Sequence, residues 1–332
     1  MTEFQLLLVG YGNVAQRFVS LLDEQKTALA RDHGVRARIV GVATRHHGCR
    51  LGRRRVTPVS TLQFIREATR QHAVAARQRR LVVIETTTLD IERGQPAIGH
   101  IGAALAGGAH VITANKGPVA FAYRSLARAA ARAHRHFLFE GAVMDGVPIF
   151  NLVRDTLPAV RILGFRGVVN STTNFILTAM EQGQRFDDAL AEMQARGVAE
   201  ADASLDVDGW DAAAKTAALA NVLLGANITP AMVDRQGIGP DTGRLAREAR
   251  AAGRRLKLVA QAQRDGRLRI TARVAPESLP GDDLLAGLEG QQNALILQTD
   301  LLEEIAIVQR SGSLTQTAYA LLSDLLSIAR RR

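Results

Sequence analysis

The apolar run Phe4–Val9 leads straight into Gly10-Tyr11-Gly12-Asn13-Val14-Ala15, and a helical segment follows. A GxGxxA turn between strand and helix constrains the fold more tightly than any other feature of these 332 residues. Gly10 permits the sharp turn, Gly12 lets the backbone approach a pyrophosphate, and Ala15 lets helix and strand pack closely. The helix N-terminus then faces the phosphates. The bare pattern also fits a tight glycine turn with no ligand. The strand before it, the helix after it and the alternation that follows favour a dinucleotide site.

Strand and helix signals keep alternating through the first 140 residues, as a parallel sheet covered on both faces requires. Strands are expected at Arg38–Ala43, Leu81–Glu85, His110–Thr113 and Phe137–Glu140. Helices are expected from the glycine turn to about Lys26, and over Thr61–Gln71, Ala97–Leu105 and Pro118–Ala133. Continuous apolar strands such as LVVIE suit burial on both faces. Arg50–Arg55 reads as a basic loop.

The pattern changes after Gly141. Helices are expected at Val147–Asp155, Asn174–Glu181, Phe186–Ala195, Asp208–Leu224 and Thr242–Gly253. Strands are expected at Ile162–Val169, Lys257–Gln263, Arg267–Val274 and Ala294–Thr299, with Asp265-Gly266 as a hairpin turn. The fold class is therefore α/β. A Rossmann-type doubly wound nucleotide domain (1–140) precedes an α+β substrate-binding and dimerisation domain (141–305) with a mixed or antiparallel sheet. Residues 306–332 end in a helix, Thr317–Arg331, that returns to the first domain.

Composition narrows the function. One cysteine, Cys49, rules out a disulfide framework and fits a reducing cytoplasm. No apolar segment reaches the roughly 18 residues of a membrane span. The formal charge of +10 raises the question of nucleic acid. Aromatics are only 4%, and the excess charge lies in scattered helical Arg, so that class is set aside. No pair among the eight His has convincing metal-ligand spacing.

Two charge features remain. The second strand ends in Ala43-Thr44-Arg45-His46-His47, with no acid for a ribose 2′-hydroxyl. Arg45, helped by Arg53–Arg55, suits a 2′-phosphate, so NADP(H) is expected as the preferred cofactor, with NAD(H) second. Further on, Glu200, Asp202, Asp206, Asp208 and Asp211 crowd the stretch before Lys215. Of 42 basic residues four are Lys (Lys26, Lys116, Lys215, Lys257), which leaves 38 Arg. Lys kept beside carboxylates points to proton transfer, because its pKa can fall while Arg stays charged, or to a compact donor that guanidinium cannot replace. Asp211 and Lys215 share one helix face; a solvated ion pair is the ordinary reading of that spacing.

Four segments in this order resemble homoserine dehydrogenase. They are the GYGNVA turn, residues 81–120 ending in ANKGPVA, VVNSTTNFIL at Val168–Leu177, and the acidic run with GWDAAAK. Weaker similarity continues through LEGQQNALILQTD, so the resemblance spans nearly the whole chain. It implies NAD(P)-dependent interconversion of L-homoserine and L-aspartate 4-semialdehyde, toward threonine, methionine and isoleucine. It also implies a homodimer and a short form lacking a C-terminal ACT regulatory domain.

By motif, Lys215 matches the catalytic helix lysine, Lys116 the lysine of the ANK turn, and Asp211 and Glu200 the active-site acids. Lys215, Lys116 and Asp211 are then the catalytic candidates. Glu200, Asp206, Ser171 and Thr172 are the substrate-binding candidates, with Asp202 as a possible helper. Thr86, Thr88, Asn115, Lys116 and Gly312 join the glycine turn and Arg45 at the cofactor. Glu140, with carbonyls near Val143 and Asp145, matches a segment that binds a monovalent cation in some relatives.

Two departures stand out. The loop before the last helix, glycine-rich in this family and close to GPGAG, reads Gln309-Arg310-Ser311-Gly312-Ser313 here. Ser171 replaces the usual glycine before the threonine pair. They keep open a catalytically weak homologue that holds NADP(H) as a sensor or structural cofactor. An oxidoreductase acting on another amino-acid aldehyde is a further alternative.

Overall fold

Every residue of β5 (Leu81–Glu85) and β6 (His110–Thr113) is buried, as centres of a parallel sheet covered on both faces must be. The computed structural model describes residues 1–45, 48–57, 60–195, 202–266 and 269–331. The chain divides into two compact units, Met1–Asn151 with Ser313–Arg332, and Leu152–Gly312.

In the first unit β1 (Thr2–Val9) feeds α1 (Asn13–Glu24) through the glycine turn, and α2 (Lys26–His33) leads to β2 (Val35–Thr44). The hairpin of β3 (Gly48–Leu51) and β4 (Arg54–Val56) comes next, then α3 (Thr61–Gln71), α4 (Ala73–Arg77) and β5. After β5 come α5 (Ala97–Ala106), β6, α6 (Lys116–Arg132) and β7 (Phe137–Leu138). Sheet order is β4-β3-β2-β1-β5-β6-β7, with β2, β1, β5, β6 and β7 mutually parallel and the β2–β3 and β3–β4 pairs antiparallel. The chain moves outward from β1 to β2, then crosses to β5 on the other side. That reversal at β1/β5 is where ligands of such sheets bind, beyond the strand carboxyl ends.

Several local expectations are corrected. The basic segment at 50–55 is the β3–β4 hairpin and not a loop: its arginines face solvent while Leu51 is buried and its backbone extends the sheet. The first helix stops at Glu24, and α2 starts afresh at Lys26. The strand predicted through Glu140 ends at Leu138, and the helix predicted from Val147 begins only at Phe150 as α7 (Phe150–Thr156). One cause explains both: the buried Glu140 carboxylate turns inward and accepts the N–H groups of Ile149 (2.6 Å), Phe150 (2.9 Å) and Asn151 (2.6 Å). These donors are the unpaired amides at the start of α7.

The second unit contains β8 (Ile162–Val168), α8 (Ser171–Glu181), α9 (Phe186–Ala195), α10 (Ser204–Val207), α11 (Trp210–Leu223), β9 (Asp234–Arg235) and α12 (Thr242–Ala251). It closes with β10 (Arg254–Arg264), β11 (Ile270–Pro280), β12 (Asn293–Thr299) and β13 (Glu304–Gln309). The sheet order is β13-β12-β8-β10-β11-β9. All pairs are antiparallel except β11–β9. Between β10 and β11, Asp265 N–H donates to Arg269 O at 2.7 Å. No strand was expected after residue 300. β13 nevertheless runs through Gln309, because its backbone pairs with β12 although half its side chains face solvent.

The last helix, α13 (Leu314–Arg330), belongs to the first unit. Ala318, Leu321, Leu322, Leu325 and Ile328 recur at helical spacing and join Phe18 and Leu21 of α1 in one core. Arg17 Nε of α1 also donates to Thr315 Oγ1 at 2.9 Å.

Lys257 of β10 is fully buried. Its ammonium donates to Asn174 Oδ1 at 3.0 Å and to the Leu288 carbonyl. Burial lowers its pKa from 10.5 to about 8, with Glu181 opposing the shift. An unfolded chain keeps this proton to about 10.5, so between 8 and 10.5 the unfolded state binds more protons. The native charge is therefore a cost that rising pH relieves. Denaturant unfolding across pH is expected to show the parent gaining stability relative to Lys257→Met over that window. Parallel curves would contradict it.

Candidate active site

The nucleotide-facing residues gather at the carboxyl ends of β1, β5 and β6. Gly10 has φ +90°, and a Cβ there would lie 2.7 Å from the Thr86 carbonyl, so the fold itself demands glycine. Gly12 differs: a Cβ there would meet no atom within 4 Å. The protein's own packing leaves Gly12 unexplained, whereas a phosphate approaching the backbone explains it. Asn13 opens α1 in solvent, Val14 is half-buried, and Ala15 is fully buried. Thr86 Oγ1 donates to Gly10 O at 3.3 Å, which places it on the turn, while Thr88 is exposed.

A buried carboxylate absent from the sequence reading organises this end. Glu85 accepts from Thr87 N–H (3.0 Å), the Thr87 hydroxyl, and Thr113 Oγ1 (2.8 Å). Thr113 Oγ1 in turn accepts from Asn115 N–H at 2.9 Å. The Asn115 side chain caps α6 by accepting from Gly117 N–H (2.9 Å) and donates to Thr87 O (3.1 Å). Asn115 therefore ties the loop after β5 to the start of α6, with both ends of its amide engaged. Lys116, the next residue, is half-buried at the start of α6. Arg45 is exposed just past β2, and the Arg55 guanidinium lies beside Gly48, which pairs with Thr44. The Glu140 carboxylate is engaged by the three N–H groups at the start of α7. Among the described residues no cluster of His, Cys, Asp and Glu has the makings of a metal site.

In the second unit the junction of β8 and α8 meets α10 and α11. Lys215 Nζ lies 2.9 Å from Asp211 Oδ2 and donates to Val169 O at 2.7 Å. Both side chains are about one-seventh exposed (16% and 14%), unlike the solvated pair the spacing alone would suggest. Asn170 Nδ2 joins the acids, donating to Asp206 Oδ1 (2.7 Å) and Asp211 Oδ2 (2.9 Å), while its Oδ1 caps α8 at Thr173 N–H. Burial first, then repulsion from Asp211, holds the Asp206 carboxyl above the usual aspartate value; Asn170, Lys215 and the Thr172 hydroxyl act the other way.

Asn170 was missed in the sequence, although Asn before Ser-Thr-Thr is a helix-cap signal. Ser171 is half-buried, and Thr172 is buried with its hydroxyl on Asp206. Asp202 stands apart, exposed and accepting from Ser204 N–H. Gly312 is exposed ahead of α13. Glu200, His46 and His47 lie outside the described residues.

A doubly wound sheet with a phosphate-ready turn binds a pyridine dinucleotide. Together with a lysine–carboxylate group suited to acid–base chemistry, it fits the class of nicotinamide-dependent oxidoreductases. Comparison with known proteins narrows it. The homoserine dehydrogenase family matches residues 148–326, and its NAD-binding domain matches residues 10–140. A Pseudomonas canavaninivorans protein named NAD(+)-dependent homoserine dehydrogenase is 34% identical, over 99% of this chain and 97% of its own. The Sulfurisphaera tokodaii homoserine dehydrogenase is 32% identical, over 98% and 99%. The crystal structure of a putative homoserine dehydrogenase from Archaeoglobus fulgidus superposes with TM-score 0.85 at 27% identity, covering 98% and 99%. This chain belongs to the homoserine dehydrogenase family.

Proposed function

We propose that this chain interconverts L-homoserine and L-aspartate 4-semialdehyde, with NADP(H) preferred and NAD(H) second. The same reading makes it a cytoplasmic homodimer on the route to threonine, methionine and isoleucine. The observation that carries it is Lys215, largely withdrawn from solvent and held between Asp211 and the Val169 carbonyl.

Oxidising homoserine removes a hydride from the hydroxymethyl carbon and a proton from its oxygen. The bound nicotinamide supplies the hydride acceptor. Neutral Lys215 takes the proton, and the ammonium returns it to the carbonyl oxygen in the reductive direction. Asp211 orients that nitrogen. Asn170 spans Asp211 and Asp206 and so fixes the spacing of the two acids. Lys116 shares the task of steadying the developing alkoxide. Glu200 accepts from the substrate ammonium, and Ser171 and Thr172 of the α8 N-terminus face the carboxylate. Reduction of NADP by L-homoserine, followed by absorbance, tests the activity. No homoserine-dependent reduction with either nucleotide would overturn it.

The preference for NADP(H) rests on Arg45 and Arg55 at the end of β2, where no described residue offers an acid to a 2′-hydroxyl. A charge-assisted hydrogen bond to a 2′-phosphate contributes about 1.5–3 kcal/mol. Arg45→Ala is therefore expected to raise the KM for NADP roughly tenfold or more while leaving that for NAD unchanged. Equal effects on both, or faster turnover by the parent with NAD, would discard the reading. The test matters because one relative is named NAD(+)-dependent.

A further inference from the structure

We propose that Asn293 is a positioning residue for the acid–base group, fastening the first turn of α8 to the end of β13 through Ser171 and Gln309. The proposal rests on the reading of Lys215, Asp211 and Asp206 given above.

Asn293 opens β12 and is 4% exposed. Its Nδ2 donates to Ser171 Oγ at 2.8 Å and to Gln309 Oε1 at 3.0 Å. Gln309 is its direct cross-strand partner and is 3% exposed. The bridge therefore ties Ser171 to Gln309 through one buried amide. Glycine at either position would leave one amide hydrogen of Asn293 buried without that acceptor, which costs about 1–3 kcal/mol. Both side chains thus serve the same amide, each satisfying one of its two hydrogens.

The bridge acts next to the chemistry. Val169 O holds Lys215, Asn170 holds Asp206 and Asp211, and the Thr172 hydroxyl lies on Asp206. Ser171 sits in the middle of this run and is held from the other side. A second tie lies one turn on, where Asn174 Nδ2 donates to Gln292 O at 3.0 Å. Residues 292 and 293 thus grip α8 twice, at Ser171 and Asn174, on one helix face. A shift of this turn moves the carbonyl, the amide and the hydroxyl that define the acid–base geometry. Misplacement of reacting groups by about 1 Å costs up to a hundredfold in rate.

The test uses Gln309→Leu and Asn293→Leu, which keep bulk and remove the bridge, with Gln309→Glu, which keeps an acceptor oxygen. Each leucine variant is expected to lower kcat/KM for L-homoserine roughly tenfold and to displace its pH profile. Nucleotide Kd stays near the parent's, the thermal midpoint falls by no more than the few degrees that one unpaired buried hydrogen costs, and Gln309→Glu keeps more activity than Gln309→Leu. The double leucine variant falls little below the worse single, because both break one bridge. Unchanged kcat/KM in the leucine variants would overturn the proposal. So would additive losses, or losses that follow the thermal midpoint with an unmoved pH profile. A parent protein that never oxidises L-homoserine would overturn the functional reading and the positioning role together. Turnover that the leucine variants leave intact would overturn the positioning role alone.

Discussion

Lys215→Ala is expected to lower kcat for L-homoserine oxidation by about 10²–10⁴-fold, the usual weight of a general acid–base group. The side chain is 16% exposed and its ion pair with Asp211 goes with it, so the thermal midpoint is followed beside the rate, and the rate loss is expected to exceed any loss of folded protein. Lys215→Arg should fail nearly as badly: guanidinium holds its proton throughout the accessible pH range, so charge alone does not restore transfer. Asp211→Asn is expected to be milder. It keeps a hydrogen-bond acceptor 2.9 Å from the ammonium and removes only the charge that orients it. Single-turnover reduction of NADP checks the set. Arginine at parental rates would reduce Lys215 to a static cation.

The second large effect separates two glycines two residues apart. Gly12→Val should abolish measurable nucleotide affinity, a loss of at least tenfold or about 1.4 kcal/mol, with an unchanged thermal midpoint. A Cβ there meets no atom within 4 Å and stands in the space through which a pyrophosphate would approach. Gly10→Ala should do the reverse. Its Cβ would lie 2.7 Å from the Thr86 backbone at φ +90°, so stability falls by about 1–3 kcal/mol, the price of a strained backbone position. Fluorescence titration with NADPH and thermal unfolding of both variants check the contrast. Equal destabilisation by both would mean Gly12 serves the fold and not the ligand.

Much of this architecture is legible in the chain. Thr61–Gln71, Leu81–Glu85, His110–Thr113 and Phe186–Ala195 fall where apolar runs and helical periodicity put them. Those signals come from burial, and burial is what composition records. The β3–β4 hairpin escapes the same reasoning because RRV and GCRL hold their place by backbone pairing, with arginines pointing outward. β13 escapes it as an edge strand with alternate residues exposed.

The candidate site shows the same divide. The lysine and its acids stand out because their composition is odd in an Arg-rich chain. Asn170, Glu85 and Asn293 do not stand out. Each is an ordinary polar residue whose role arises from partners 28 to 122 positions away. No local pattern encodes such a contact. The two departures at Ser171 and Gln309 read separately as disturbances, and only folding brings them to a single amide.

The most direct test of the central claim is transfer of deuterium from homoserine labelled at its hydroxymethyl carbon. The account predicts that the label appears on the nicotinamide ring of the reduced nucleotide, in step with aldehyde formation, and that Lys215→Ala stops both. Nucleotide that is bound tightly by the folded protein yet never acquires label from homoserine would contradict it.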